Sequence, residues 1–263
     1  MPIPAWIISL DSEQENAKKL AADLREQGFE VRFFPAVDGR KGLPALNPGE
    51  SISAWRSLVY RGAELTPSEV GCYLSHYRLI KQAYDEGQSH VLIFEDDVAL
   101  EGDISTLVDH IAELPGHHHL VRLMALKIRK RSELTDLGEG YHLTRPLRGA
   151  LGAQGYVVNR EGMRKIIAFG AKMTMGIDNL FDSFFLYNLN CYVVEPHAIY
   201  EIESASSVKK KFLKPPFWTR IGRHFYKLYR SVFRRIDYWN NKSEYQGAKK
   251  PSGVVGRSPR LRR

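Results

Sequence analysis

Thiol is scarce in this chain: Cys72 and Cys191 are all that 263 residues contain. Two cysteines exclude a disulfide scaffold and leave room for one bridge at most. Each sits among apolar neighbours, so both read as buried thiols in a reducing compartment. The stretch MPIPAWIISLDSEQE has no basic leader, and its apolar run is too short for a secretion signal. No stretch approaches the roughly 20 apolar residues of a membrane span, and no internal repeat is present. These absences predict a cytoplasmic protein that would meet a membrane only from its surface.

The apolar share of 43% and the charged share of 26% are ordinary for a globular protein, and the length suffices for a full core. Charge is placed less evenly. Residues 209–263 hold 17 Lys and Arg against Asp237 and Glu244, while residues 1–208 hold 21 basic against 28 acidic side chains. The reading is therefore an acidic body, 1–208, followed by a strongly basic tail, 209–263.

Hydrophobic spacing places the elements of the body. WIISL (6–10) reads as a strand, followed by a helix capped by Asp11 or Ser12, with Ala17, Leu20, Ala21 and Leu24 on one face and Gly28 at its end. VRFFPAVDG (31–39) reads as a strand that breaks into a turn at Asp38-Gly39, giving a βαβ unit. Residues 40–63 have no clear period and read as a long loop. ELTPSEVGCYLSHYRLIKQAYDEG (64–87) carries the strongest helix signals: Thr66 as cap, Pro67 at the first helical position, Glu69 completing a capping box, and Gly87 as stop. HVLIF (90–94) is continuous rather than alternating, as strands buried on both faces are. Residues 119–126 and 191–196 read as strands, 155–170 as strand, turn and helix, and 177–189 as a helix. The fold class is α/β with a mainly parallel central sheet flanked by helices.

HVLIF runs directly into Glu95, Asp96 and Asp97. In such sheets ligands gather at the carboxyl ends of strands. Two carboxylates one residue apart can face the same way and share a hard divalent cation with phosphate oxygens, and without one the acids repel. A helix cap, a solvated turn and a phosphoacceptor cluster compete for the same residues.

The succession IISLDSEQENAKKLAADL, FFPAVDG, LTPSEVGCYLSHYRLI, VLIFEDDV, GAQGYVVNREGMRKI and GIDNLFDSF resembles glycosyltransferase family 25 over about residues 5–205. These are bacterial lipooligosaccharide and lipopolysaccharide glycosyltransferases, related to collagen galactosyltransferases. The resemblance implies a GT-A-type fold and inverting transfer of a sugar, commonly galactose, from a UDP-sugar. It makes Glu95 and Asp97 candidate ligands for Mn2+ or Mg2+, with Asp96 bridging. It assigns Ser9, Leu10 and Asp11 to the uridine, and Asp38 to the turn after the second strand. Ser75 and His76 become donor contacts, and Gln154 lies under the acceptor. Gly71 and Cys72 read as packing positions. Asp178 matches the late acid that acts as general base, with Asp182 as rival and an ordinary helix-start acid as the plain alternative. His197 is a candidate third metal ligand, although the family does not usually carry His there.

In PPFWTRIGRHFYKLYRSVFRRIDYW (215–239), Trp218, Ile221, Phe225, Leu228, Val232, Ile236 and Trp239 recur at helical spacing among arginines and lysines. This pattern fits a helix lying on an anionic membrane; packing on its own domain or a dimer partner are the alternatives. No nucleic-acid-binding fold accompanies the charge, so nucleic acid is not expected. Residues 240–263 read as disordered. The expected partners are a nucleotide-sugar donor and a lipid-linked oligosaccharide acceptor at the inner face of the inner membrane. A non-catalytic membrane-docking protein that keeps the fold is the alternative.

Overall fold

The computed structural model describes residues 3–202 and 218–261. The boundary expected at 208/209 lies outside the described residues. In chain order the elements are β1 (Ala5–Ser9), α1 (Glu15–Glu26), β2 (Val31–Pro35), β3 (Ser51–Ile52), α2 (Ala54–Arg61), α3 (Pro67–Asp85), β4 (His90–Glu95), β5 (Val98–Leu100), α4 (Ser105–Glu113) and β6 (Leu120–Arg122). They continue with β7 (Arg131–Asp136), β8 (His142–Pro146), β9 (Gly155–Asn159), α5 (Arg160–Gly170), β10 (Lys172–Met173), α6 (Ile177–Phe181), β11 (Cys191–Glu195), β12 (Ile199–Glu201), α7 (Trp218–Asn240) and α8 (Lys242–Tyr245).

Eight strands form one sheet in the order β2-β1-β4-β9-β6-β11-β8-β7. The continuous apolar runs follow from burial on both faces. Trp6, Ile8, Val91 and Ile93 pack with Leu74 and Ile80 of α3 and Ile166 of α5. Ala5, Ile7, Leu92 and Phe94 point the other way, against Leu20 and Leu24 of α1 and Leu107 and Val108 of α4. This is the α/β architecture, with helices on both faces of the sheet, that the apolar runs predict.

The sheet is mainly parallel in strand direction, with two strands reversed. β2, β1 and β4 run parallel, as does β6 with β11, but β9 is antiparallel to both neighbours and β8 to both of its own. A buried apolar strand such as GYVVN reads alike in either direction, so periodicity carries no sign of its reversal. Other expectations are corrected. The N-cap position of α1 falls at Gln14, which makes no side-chain cap bond, rather than at Asp11 or Ser12. The strand at 119–126 is confined to Leu120–Arg122, and the helix at 177–189 shortens to α6 plus a 3-10 turn at Phe184–Leu186.

Helix α3 matches its signals. The Thr66 hydroxyl accepts from Glu69 N at 3.2 Å and the Glu69 carboxylate accepts from Thr66 N at 2.9 Å, a cap of about 1 kcal/mol. A Cβ on Gly71 would lie 2.4 Å from Val37 O, so glycine there lets α3 approach the chain leaving β2. Ser75 fastens the same junction: its Oγ accepts from Val37 N and donates to Gly71 O, both at 2.8 Å.

Residues 241–261 are not a disordered tail. After α8, Lys249 bridges to Arg131, His197 N donates to Val255 O at 2.7 Å, and Val255 and Ser258 are buried. The cross-links are backbone bonds and isolated side chains, which leave no hydrophobic period in the sequence.

Candidate active site

Strand β4 delivers Glu95 to the carboxyl edge of the sheet, beside the end of β1, where Ile8 pairs with Glu95. The tight turn into β5 sends alternate acids in opposite directions. Glu95 and Asp97 line a cleft of about 670 Å3. Asp96 instead accepts a hydrogen bond from Ser9 Oγ, tying β4 to β1. Cys72, Gln154, Asp178, Asn179, Met175 and the guanidinium-bearing side chains of Arg61, Arg230 and Arg260 complete much of the wall.

His76 supports the cluster from beneath. It is buried, with Nε2 3.2 Å from Glu95 Oε1 and Nδ1 3.0 Å from the Tyr156 hydroxyl. Burial works to raise the Glu95 carboxyl, but the His76 hydrogen bond and attraction, followed by Arg260, outweigh it and hold Glu95 below its ordinary value. Asp97 has no such partner. Burial first, then repulsion from Glu95, push its carboxyl up to about 7 against the pull of Arg260, and its buried Oδ1 has no hydrogen-bond partner. Burial and Glu95 also raise Asp96, with the Ser9 hydrogen bond opposing. One acid thus ionises readily while its neighbour is held back by uncompensated charge, an arrangement that a cation would relieve.

Asp178 sits in the same cleft at the first turn of α6. Its Oδ1 accepts from Asn179 N at 2.7 Å and Asn179 Nδ2 at 2.8 Å. Burial raises this carboxyl, Asn179 opposes, and Asp182 adds to the rise. Asp182, one turn on, faces inward: Arg122 Nη1 lies 2.9 Å from its Oδ1, and Leu151 N donates to its Oδ2 at 3.1 Å. Both partners of this ion pair are buried, so its role is to fasten α6 to β6.

Glu95, Asp97, Gln154 and Asp178 are therefore brought together, with His76 behind them and Ser9 reaching them through Asp96. Gln154 O accepts from Glu95 N at 2.8 Å, and its buried Oε1 has no partner. Ser75 faces the β2 junction. Leu10 and Asp11 are exposed at the end of β1 and do not line the cleft; Asp11 Oδ1 accepts from Glu13 N at 3.0 Å. Asp38 is paired with Arg40 at 2.9 Å, whose hydrogen bonds lower it to about 2. His197 lies outside the cleft, buried beneath the C-terminal run. Its Nε2 accepts from Ala125 N at 3.3 Å, and burial followed by Arg131 lowers it to about 4. Cys72 is exposed on the cleft wall rather than buried, its Sγ 3.8 Å from Glu95 Oε1; both thiols are free.

Tyr156, Asn179, Arg230 and Arg260 escape the sequence reading. Tyr156 looks like one more apolar strand position, and Arg260 belongs to a run without period. Only Asn179, adjacent to Asp178, had a local signal.

The model of glycosyltransferase family 25 (LPS biosynthesis protein) matches residues 3–181. Inactive glycosyltransferase 25 family member 3 of Homo sapiens is 32% identical over 110 residues, covering 41% of this chain and 18% of that protein. Procollagen galactosyltransferase 2 of Homo sapiens is 29% identical over 173 residues, covering 62% and 27%. Lipooligosaccharide biosynthesis protein lic2B of Haemophilus influenzae is 24% identical over 202 residues, covering 73% of each. The chain thus spans about a fifth to a quarter of the length of these two human relatives.

Proposed function

Because the chain belongs to glycosyltransferase family 25, we propose that it moves a sugar, galactose from UDP-galactose, onto a lipopolysaccharide or lipooligosaccharide acceptor with inversion. The observation that carries this reading is the pairing of Glu95 and Asp97 on one cleft wall with Asp178 on another. Hard oxygen donors, one of them an orphaned buried carboxylate atom, suit Mn2+ or Mg2+. Glu95 and Asp97 would hold the ion, whose charge would be set against the diphosphate leaving group.

The chain's own groups account for the rest. His76 orients Glu95 and keeps it ionised. Asp178 Oδ1 is engaged by Asn179, and among the described residues Oδ2 has no hydrogen bond, which leaves that oxygen for the acceptor hydroxyl. A carboxyl raised by burial is also a better proton acceptor than an ordinary one. Asp178 takes the hydroxyl proton as the acceptor oxygen bonds to the anomeric carbon. The bond from that carbon to the diphosphate oxygen breaks on the opposite face, and the electron pair leaves with UDP.

The site of action in this proposal is an anionic membrane surface, and α7 supports it. One face of α7 packs on the body: Tyr226 stacks on Tyr60 with centroids 3.8 Å apart, and the Arg230 guanidinium lies 5.2 Å from the Phe185 ring centre. The stripe of Ile221, Phe225, Leu228 and Trp239 points away, each residue 57–69% exposed, with Arg220, Lys227 and Arg235 exposed around it. No helix among the described residues is long and apolar enough to cross a membrane. An aromatic stripe edged with cations suits the headgroup boundary, where each basic residue contributes about 1 kcal/mol.

The test is a panel of UDP-sugars incubated with Mn2+ and a lipooligosaccharide acceptor. Release of UDP with UDP-galactose, lost on chelation, is expected. Absence of transfer, donor hydrolysis and metal effect across the panel would refute the reading.

A further inference from the structure

The C-terminal run is stitched to the body along its length. Arg131 N donates to Lys249 O at 3.0 Å and Lys249 N returns a bond to Arg131 O at 3.1 Å. Gly256 passes so close to His197 that a Cβ there would lie 2.2 Å from Nδ1. Arg257 Nε is 2.9 Å from Glu101, and its guanidinium lies 4.0 Å from the Tyr200 ring centre. Glu201 N donates to Ser258 Oγ at 3.2 Å, and Leu261 N closes a turn onto Ser258 O at 3.0 Å. This strap ends by placing Arg260 on the wall of the cleft that holds Glu95 and Asp97.

We propose that Arg260 is a binding residue for the diphosphate of the nucleotide-sugar donor, delivered to the cleft by the C-terminal strap. The inference rests on the donor reading above and adds a residue that lies well beyond the matched residues 3–181. Its basis is position and charge. The guanidinium is anchored on one side through a hydrogen bond to Glu201 Oε1, and the Glu201 side chain is only 2% exposed. The Arg260 side chain itself is 58% exposed, and the residue lines the cleft. Anchored on a buried acid and free elsewhere, it has a fixed position with donors to spare.

The charge balance points the same way. Glu95, Asp97 and a divalent ion would cancel, so the charge of an incoming diphosphate would fall to the arginines of the cleft. Of the other cleft arginines, Arg61 is held in two bonds to Glu69, at 3.0 and 2.8 Å, and Arg230 lies over the Phe185 and Tyr226 rings. The planar fork of an arginine matches phosphate oxygens in pairs, which an ammonium does not. Before the donor arrives, Arg260 attracts Glu95 and Asp97. In the donor complex the diphosphate becomes the partner of the free Arg260 N–H groups.

Calorimetry on the full chain tests this, with UDP in the presence of Mn2+ and with uridine alone as the phosphate-free probe. Arg260→Ala should weaken UDP at least tenfold, about 1.4 kcal/mol, and leave uridine binding unchanged. Arg260→Lys should recover part of the loss, and Lys250→Ala, an exposed cation of the same run that does not line the cleft, should bind UDP as the unaltered protein does. Near-ultraviolet circular dichroism checks that each variant is folded. Undiminished UDP affinity in Arg260→Ala overturns the proposal, as does an equal loss for uridine. Failure of the unaltered protein to bind UDP with Mn2+ overturns the donor reading itself, a separate outcome.

Discussion

Replacing Asp97 with asparagine should make the protein more stable and at the same time remove its metal-dependent donor binding. Burial and Glu95 lift the Asp97 carboxyl from its usual value near 4 to about 7. At about 1.4 kcal/mol per pH unit, holding it ionised in the folded state costs at most ~4 kcal/mol. Water entering the cleft lowers this, so a gain of roughly 2–4 kcal/mol is expected. The sign follows from linkage. A carboxyl raised in the folded state binds its proton more tightly there, so stability is retained below pH 4 and lost as pH rises to 7, with the loss constant above that. Asp97→Asn should therefore match the unaltered protein near pH 4 and exceed it above pH 7. For a chain of this size the shift is about 2–4 °C in Tm per kcal/mol. Thermal unfolding at pH 4, 6 and 8, without divalent ions, measures the stability, and calorimetry with Mn2+ and UDP measures the binding. A variant that is less stable at pH 8, or that binds UDP with Mn2+ undiminished, would refute the reasoning.

Two further outcomes follow from the same geometry. Asp178→Asn should abolish transfer while leaving the protein at least as stable, because burial disfavours its charge. Asp182→Asn should unfold more easily by about 3–5 kcal/mol, since it strands buried Arg122; urea denaturation beside a transfer assay separates the two, and the reverse pattern would make Asp182 the base. On α7, Phe225→Glu with Leu228→Glu should leave Tm within about 1 °C, both side chains being exposed, and should cut binding to vesicles containing anionic lipid at least tenfold. Sedimentation with such vesicles reads this, and full retention would remove the membrane from the account.

Point changes suit α7 better than truncation because the tail is not separable from the site. From composition, residues 209–263 look like a basic appendage, yet Arg230 and Arg260 line the cleft and Asp237 and Glu244 pair with buried Arg145. The local signals that held were short-range. The α3 capping box, the apolar stripe of α1 and the acids ending β4 each depend on neighbours within a few residues. The readings that changed were long-range. The direction of β9, the inward turn of Asp182 and the seating of His197 under Val255 depend on what lies across the fold.

The sequence alone determined the α/β class, the position of the acid cluster at the end of a buried strand, and the family. Periodicity, capping and motif order are properties of the chain read in one dimension, and they survive without coordinates. The tertiary structure decided which acids share the cleft, which one instead holds an arginine in the core, and that a strap some 160 residues after β4 brings Arg260 beside Glu95 and Asp97. The physical reason is that charge acts through space: whether a carboxylate is stranded, paired or poised depends on the groups around it in the folded chain, and few of those are its neighbours in sequence.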